Sequence, residues 1–206
     1  MKKNIIILCV LVMLPLALSA QQSEQQIKKE IGQVAASVKT LQCDFVQTKY
    51  LKMLNDKMVS RGKMYYQQGN NLRWEYVSPY TYTFILNKDK VLLKNKQRND
   101  IIDVKQNKVF REIAFMMMNS VVGDCLNDTK SFKSSIVVAG GEWIATLLPL
   151  RKEMKQLFQT IVLHFSKKQG VVTMVEMIER NGDKTIIELK NVKKNEAIAN
   201  SVFAIH

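Results

Sequence analysis

Leu72-Arg73-Trp74-Glu75-Tyr76 alternates large apolar and charged side chains with the period of a β-strand. On a pleated strand Leu72, Trp74 and Tyr76 share one face, and Arg73 and Glu75 share the other. Met64 and Tyr66 repeat the pattern upstream, and Tyr82, Phe84 and Leu86 follow downstream. Successive strands thus bring bulky apolar side chains to one side of a sheet, and that side must be covered. The cover is either the protein's own helices or a hydrophobic guest. Alternation alone does not separate the two.

Working outward, turn residues separate further strand-like runs: Cys43–Leu54 and Met58–Tyr66 around Asn55-Asp56, Leu72–Val77 after Gly69-Asn70-Asn71, and Tyr80–Leu86 after Ser78-Pro79. Val91–Lys94 and Ile101–Val104 read the same way. Arg180-Asn181-Gly182-Asp183, between Val171–Glu179 and Lys184–Lys190, is the clearest hairpin signal. Many short antiparallel strands predict a strongly curved sheet or incomplete barrel. Two segments carry helical spacing instead. Glu24–Leu41 places Ile27, Ile31, Val34, Val38 and Leu41 on one stripe, with Ser23 as a cap. Asn107–Ser120 does so with Phe110, Ile113, Ala114 and Met117, continuing to Val121, and contains three consecutive methionines at 116–118. Such a helix suits a surface that repacks around a guest, or serves as ordinary core filler.

Lys2 and Lys3, the apolar run Ile5–Leu14, Pro15 and the small residues Ala17, Ser19 and Ala20 have the form of a cleaved signal peptide over residues 1–20. Residues 21–206 are then a single exported domain, long enough for its own core, without repeats or linkers. Losing Lys2 and Lys3 lowers the net charge from +13 to +11, which attracts anionic lipid headgroups or acidic partners, or simply keeps the protein soluble. Cys43 and Cys125 remain after Cys9 is lost, and an oxidising compartment allows them to form one disulfide. Spacing does not show whether they meet.

Catalytic and cofactor signatures are missing. His164 lies in the apolar run Ile161–Phe165, at a position set by packing, and His206 ends the chain, so no histidine pair has metal spacing. There is no nucleophile elbow, phosphate loop or dinucleotide fingerprint, and Gly140-Gly141 is a turn. Asp100 with Asp103, and Glu176 with Glu179, read as solvated strand faces. Neither an enzyme nor a cofactor is expected.

In order, the N-terminal helix, Phe45-x-Gln47, Gly62, Arg73-Trp74-Glu75-Tyr76, Pro79, Leu147-Leu148-Pro149, Val175-Glu176, Asn181-Gly182, Leu189-Lys190-Asn191 and Phe203 resemble the outer-membrane lipoprotein carrier family, LolA. The resemblance spans nearly all of the mature chain. It implies an α+β fold: an unclosed antiparallel barrel of about eleven strands, with helices as a lid over an apolar cavity. The same barrel occurs in the outer-membrane lipoprotein receptor and in a sigma-factor regulator, so fold does not fix cargo.

Family members are periplasmic carriers, not enzymes. They take acylated lipoproteins from an inner-membrane ATP-driven transporter and pass them to an outer-membrane acceptor. An acyl chain in water costs about 0.8 kcal/mol per methylene, which is why transit needs a cavity. The expected cavity residues are Phe45, Met64, Tyr66, Leu72, Trp74, Tyr76 and Phe84, and the expected lid is Phe110, Ile113, Ala114 and Met117. The expected partners are acylated lipoproteins or lipids, for a monomer that binds no nucleic acid. The rival reading is a lipid- or lipoprotein-sensing regulatory module on the same scaffold; such sensors commonly add a second domain, for which this chain leaves no room. Proteobacterial members latch the lid with an Arg-Pro pair. Gln68 and Gly69 stand there in this chain, so closure is expected to rest more on apolar packing.

Overall fold

Alternating side chains and polar turns fold the chain into two β-meanders. The structure, a computed structural model, describes residues 15–205, with side chains from Glu24 onward except that of Val109. The first meander runs through β1 (Thr40–Leu51), β2 (Asp56–Gln67), β3 (Asn71–Ser78), β4 (Tyr82–Asn87), β5 (Lys90–Asn95) and β6 (Asn99–Asp103). The second runs through β7 (Phe132–Ala139), β8 (Glu142–Pro149), β9 (Phe158–Ser166), β10 (Val172–Glu179) and β11 (Lys184–Lys194). They join where β1 pairs with β11, giving one antiparallel sheet ordered β6-β5-β4-β3-β2-β1-β11-β10-β9-β8-β7. Because β6 and β7 do not pair, the curved sheet stays unclosed.

Three α-helices are described: α1 (Pro15–Ser37), α2 (Lys108–Val122) and α3 (Lys152–Leu157). Among the described residues no helix is long and apolar enough to cross a membrane. Ile27, Ile31 and Ala35 of α1 are buried against the concave face. The Glu24 carboxylate also accepts the Ile136 amide of edge strand β7 at 3.2 Å, so this end of the edge is partly covered. Helix α2 follows β6 and, after a 3₁₀ turn at Asp124–Asn127, leads into β7, so it spans the gap between the two edges. Asn107 caps its start by accepting the Phe110 amide at 3.2 Å, and Gly123 ends it in the left-handed conformation.

The N-terminal helix differs from expectation at both ends. It is already formed at Pro15, so Ser23 lies mid-helix and is no cap. It stops at Ser37, and Leu41 is the second residue of β1. Leu41 is still buried, because the strand points it inward where the helical stripe would have done so. The segment 1–14 of the expected signal peptide, and His206, lie outside the described residues.

Gly62 fixes how closely β1, β2 and β3 approach. A Cβ here would stand 2.0 Å from the Glu75 carbonyl and 2.4 Å from the Phe45 ring. Phe45 uses that space to stack on Trp74, with ring centroids 4.4 Å apart, and to meet Tyr76 edge-on at 5.2 Å. On the convex face, Phe203 of the C-terminal 3₁₀ turn (Asn200–Phe203) packs on Ile85 and Leu92.

Cys43 and Cys125 are buried free thiols, so the disulfide between them that the sequence left open is not formed here. Burial pushes both thiols up to about 12, with nearby carboxylates adding to the effect.

Two outcomes follow from this packing. Gly62→Ala is expected to lose about 1–3 kcal/mol or more, because a backbone carbonyl cannot step aside as a side-chain tip can; urea unfolding measures it. Cys43 and Cys125 are expected to resist alkylation near neutral pH in the native protein. Both should label completely in denaturant without reductant, which mass spectrometry counts.

Candidate functional site

The concave face holds an apolar cavity of about 200 Å³ between the sheet and α2. Helix α2 contributes Ile113, Met116, Met117 and Val121. The sheet contributes Trp74 and Tyr76 from β3, Phe158 and Ile161 from β9, Val175 and Met177 from β10, and Ile187 and Leu189 from β11. The pairs from β3, β10 and β11 are alternate residues, as side chains sharing one face must be.

Of the seven expected cavity residues, Trp74 and Tyr76 line this space. Phe45, Met64, Leu72 and Phe84 share the concave face but are packed into the core, with Met64 and Leu72 fully buried. Tyr66 borders a separate groove between the β2–β3 turn and α2. The C-terminal strands supply most of the sheet's share of the lining, which the expectation missed. Their signal was the alternation Val175-x-Met177 and Ile187-x-Leu189. The four expected lid residues all lie on α2: Ile113 and Met117 line the cavity, Ala114 is buried, and Phe110 packs against the core.

Three polar features interrupt this apolar surface. Tyr76 donates its hydroxyl to Gln47 at 2.9 Å, and burial pushes the phenol up to about 12, so it stays neutral. The Trp74 indole Nε1 is buried without a hydrogen-bond partner, leaving a donor at the cavity wall. Further along the concave side of β1, Lys49 lies 2.9 Å from Glu179 and 3.6 Å from Asp183. Thr185 donates its hydroxyl to Glu179 at 3.1 Å. Burial works against the Lys49 charge, but the Glu179 hydrogen bond and the two carboxylate charges outweigh it and raise its pKa. The concave face therefore passes from an oily cavity to a charged rim at the end of the sheet bearing the β1–β2 and β10–β11 turns.

A charged contact does tie α2 to a neighbouring loop, though not through position 68. Gln68 is exposed; its backbone amide donates to the Lys39 carbonyl at 2.8 Å. Instead Arg151, on the loop before α3, donates to Glu112 of α2 at 2.7 Å, and the Glu112 side chain is only 6% exposed. Lys108 of α2 pairs with Glu153 of α3 beside it. The sequence hid this contact because Glu112 and Arg151 are 39 residues apart and neither belongs to a motif.

The remaining titratable groups belong to the scaffold. His164 does not owe its place to apolar packing alone: it lies 3.2 Å from Glu142 and 2.9 Å from Glu176, tying three adjacent strands. It alternates with the inward-facing Leu163 and Phe165, which puts it on the convex side, away from the cavity. Glu176 also pairs with Lys184, and the Lys184 hydrogen bond, with help from His164, holds its carboxyl below the usual range. Asp100 pairs with Arg98 at 2.9 Å, and Asp103 accepts the Lys105 amide at 2.8 Å. What the cavity offers chemically is apolar surface with a few polar handles. That arrangement binds.

No curated protein matches the chain. Among solved structures, an uncharacterized conserved protein from Thermus thermophilus aligns at TM-score 0.52 and 11% identity, covering 86% of this chain and 91% of that one. A DUF1329 family protein from Desulfovibrio piger aligns at TM-score 0.50 and 11% identity, covering 87% and 95%. MucB aligns at TM-score 0.52 and 10% identity over 89% of this chain, which spans only 62% of MucB. At such identities these likenesses show the fold. The profile of the family described as outer membrane lipoprotein carrier protein LolA matches residues 36–206, from the end of α1 through every strand described above. By that match the chain belongs to the outer membrane lipoprotein carrier protein family, LolA.

Proposed function

We propose that the protein is a periplasmic, non-enzymatic carrier that hides the acyl chains of lipoproteins, or of lipids, and moves them from the inner to the outer membrane. In this reading residues 1–20 direct export and are removed. An inner-membrane ATP-driven transporter loads the carrier, and an outer-membrane acceptor unloads it. The observation that supports it best is the apolar cavity between the sheet and a methionine-bearing helix, in a chain of this family.

Cavity size gives the mechanism its main constraint. Pockets that hold drug-sized ligands measure roughly 300–1,000 Å³, so about 200 Å³ is too small for a whole acyl tail. Loading must therefore displace α2, which makes α2 the lid. Its methionines pack adaptably, so the closed and loaded arrangements stay close in energy. The free Trp74 indole N–H and the Gln47 amide can meet the ester or amide carbonyls of the cargo at the wall.

Native mass spectrometry of protein purified from its own periplasm tests the reading directly. Bound acylated polypeptide or lipid is the expected result, and cargo-free protein that also fails to take up acyl probes would overturn it. Met177→Trp fills the cavity at a half-buried position and is expected to leave the fold intact while weakening acyl-probe binding tenfold or more; fluorescence titration measures it.

Arg151→Gln removes the lid's charged partner and strands Glu112. A hydrogen bond to a charged group is worth about 1.5–3 kcal/mol, so amides across 107–122 should exchange roughly ten- to a hundredfold faster. Exchange unchanged there would mean the ion pair does not hold the lid.

A further inference from the structure

The turn between β1 and β2, Lys52-Met53-Leu54-Asn55, presents its apolar side chains to solvent. Met53 is 91% exposed and Leu54 71%, while Tyr50, Met58 and Val59 on the flanking strands are exposed as well. The turn is well built. The Leu54 amide donates to the Leu51 carbonyl at 3.2 Å, Asn55 takes the left-handed conformation, and the Lys52 amide donates to Asp183 at 3.0 Å. Two large apolar side chains are thus held outward by a hydrogen-bonded hairpin, without a groove around them.

Charge surrounds this tip. Lys52 and Lys57 flank the apolar pair, and neither makes an ion pair among the described residues. With Lys184 they border a shallow groove beside the turn. Asp56 is the opposing charge on the hairpin, and its carboxylate accepts the Lys57 amide at 2.7 Å. The strand register puts further exposed apolar residues at the same end of the sheet, among them Val77 near the end of β3, Tyr80 in the β3–β4 loop and Leu150 after β8. This is also the end where the concave face meets its charged rim.

We propose that the β1–β2 hairpin docks the protein on an anionic lipid bilayer, with Met53 and Leu54 entering the headgroup–acyl boundary and Lys52 and Lys57 meeting lipid phosphates. A protruding tip whose two apolar side chains stand outside the neighbouring groove suits a deformable bilayer better than a protein partner, whose anchor residues fill shaped pockets. Lysines beside apolar side chains match a negative surface with an oily interior. Docking in this pose brings the Lys49–Glu179–Asp183 end of the concave face toward the membrane. The proposal does not rest on the carrier reading, because vesicle binding is measured on cargo-free protein.

The test uses purified protein with phosphatidylcholine vesicles and with vesicles that also contain phosphatidylglycerol. Sedimentation with the anionic vesicles, weakened by salt, is the expected result. Met53→Glu/Leu54→Glu is expected to lose roughly a hundredfold in affinity through lost apolar burial, and Lys52→Gln/Lys57→Gln roughly tenfold or more. Both pairs sit on an exposed hairpin, so thermal unfolding should match the wild type, as should acyl-probe uptake without vesicles. A fluorophore at Leu54→Cys should shift to the blue on anionic vesicles only. No binding to anionic vesicles overturns the proposal. So does full, salt-sensitive binding by Met53→Glu/Leu54→Glu, which would be plain adsorption of a basic protein. Capture of a protein partner by the tip, with no vesicle binding, overturns it as well.

Discussion

A curved sheet whose two edge strands never meet leaves its apolar inner face open along one side, and the rest of the molecule answers to that opening. In a closed barrel the strands themselves would seal the interior. Here β6 and β7 lie at opposite ends of the strand order, and the chain between them supplies the seal as α2. The cover is therefore a segment tethered at both ends, with its apolar stripe facing inward and its position fixed by few polar contacts. Helix α1 buries Ile27 and Ile31 on the same face and supplies Glu24 to the β7 edge, so the two helices divide the work. Removing either would expose a large inner surface.

The first meander was legible because its pattern is local. Leu72, Trp74 and Tyr76 alternate with charged residues, and turn residues mark nearly every hairpin, so side-chain period and turn chemistry agree. The hairpin at Asn181-Gly182 was equally plain. Boundaries were harder: apolar Val38 and Leu41 continue a helical stripe, although the chain has already left the helix for β1. Strands β7 and β8 and the short helix α3 went unassigned, since Phe132–Ala139 mixes serines with apolar residues and Lys152–Leu157 is only six residues long. The cavity lining was half legible. Alternation told which residues face inward, but which of these touch empty space depends on where α2 lands. That is a matter of tertiary packing between distant segments, and so is the ion pair of Glu112 with Arg151.

That ion pair gives α2 a charged contact that position 68 does not supply. Gln68 is exposed, and the carboxylate on α2 is met instead through the β8–α3 loop. A carboxylate as deeply buried as Glu112 is costly without its partner, so it favours the one helix position that keeps Arg151 in reach. The cost acts as a register for the closed state. Arginine is suited to it because its charge persists and its planar donors remain accessible near the surface.

If the protein works as the carrier proposed above, tight binding and easy release must coexist, and displacement of α2 would reconcile them. Hiding a chain of about fifteen methylenes gains roughly 12 kcal/mol at about 0.8 kcal/mol each. Displacing α2 gives up the burial of Met116 and Val121, each worth about 1.5–3 kcal/mol, and part of that of the half-buried Ile113 and Met117, roughly 4–9 kcal/mol together. The guest and the lid thus compete for the same surface with comparable energies. Loading becomes an exchange of one apolar cover for another, so net affinity is far below what the cargo's own burial would provide. In that reading an acceptor would need only to favour the closed arrangement of α2 slightly to drive the tail out. Branched, rigid side chains would have tied the helix to a single packing, whereas Met116 and Met117 let it rest on the cavity without committing to it.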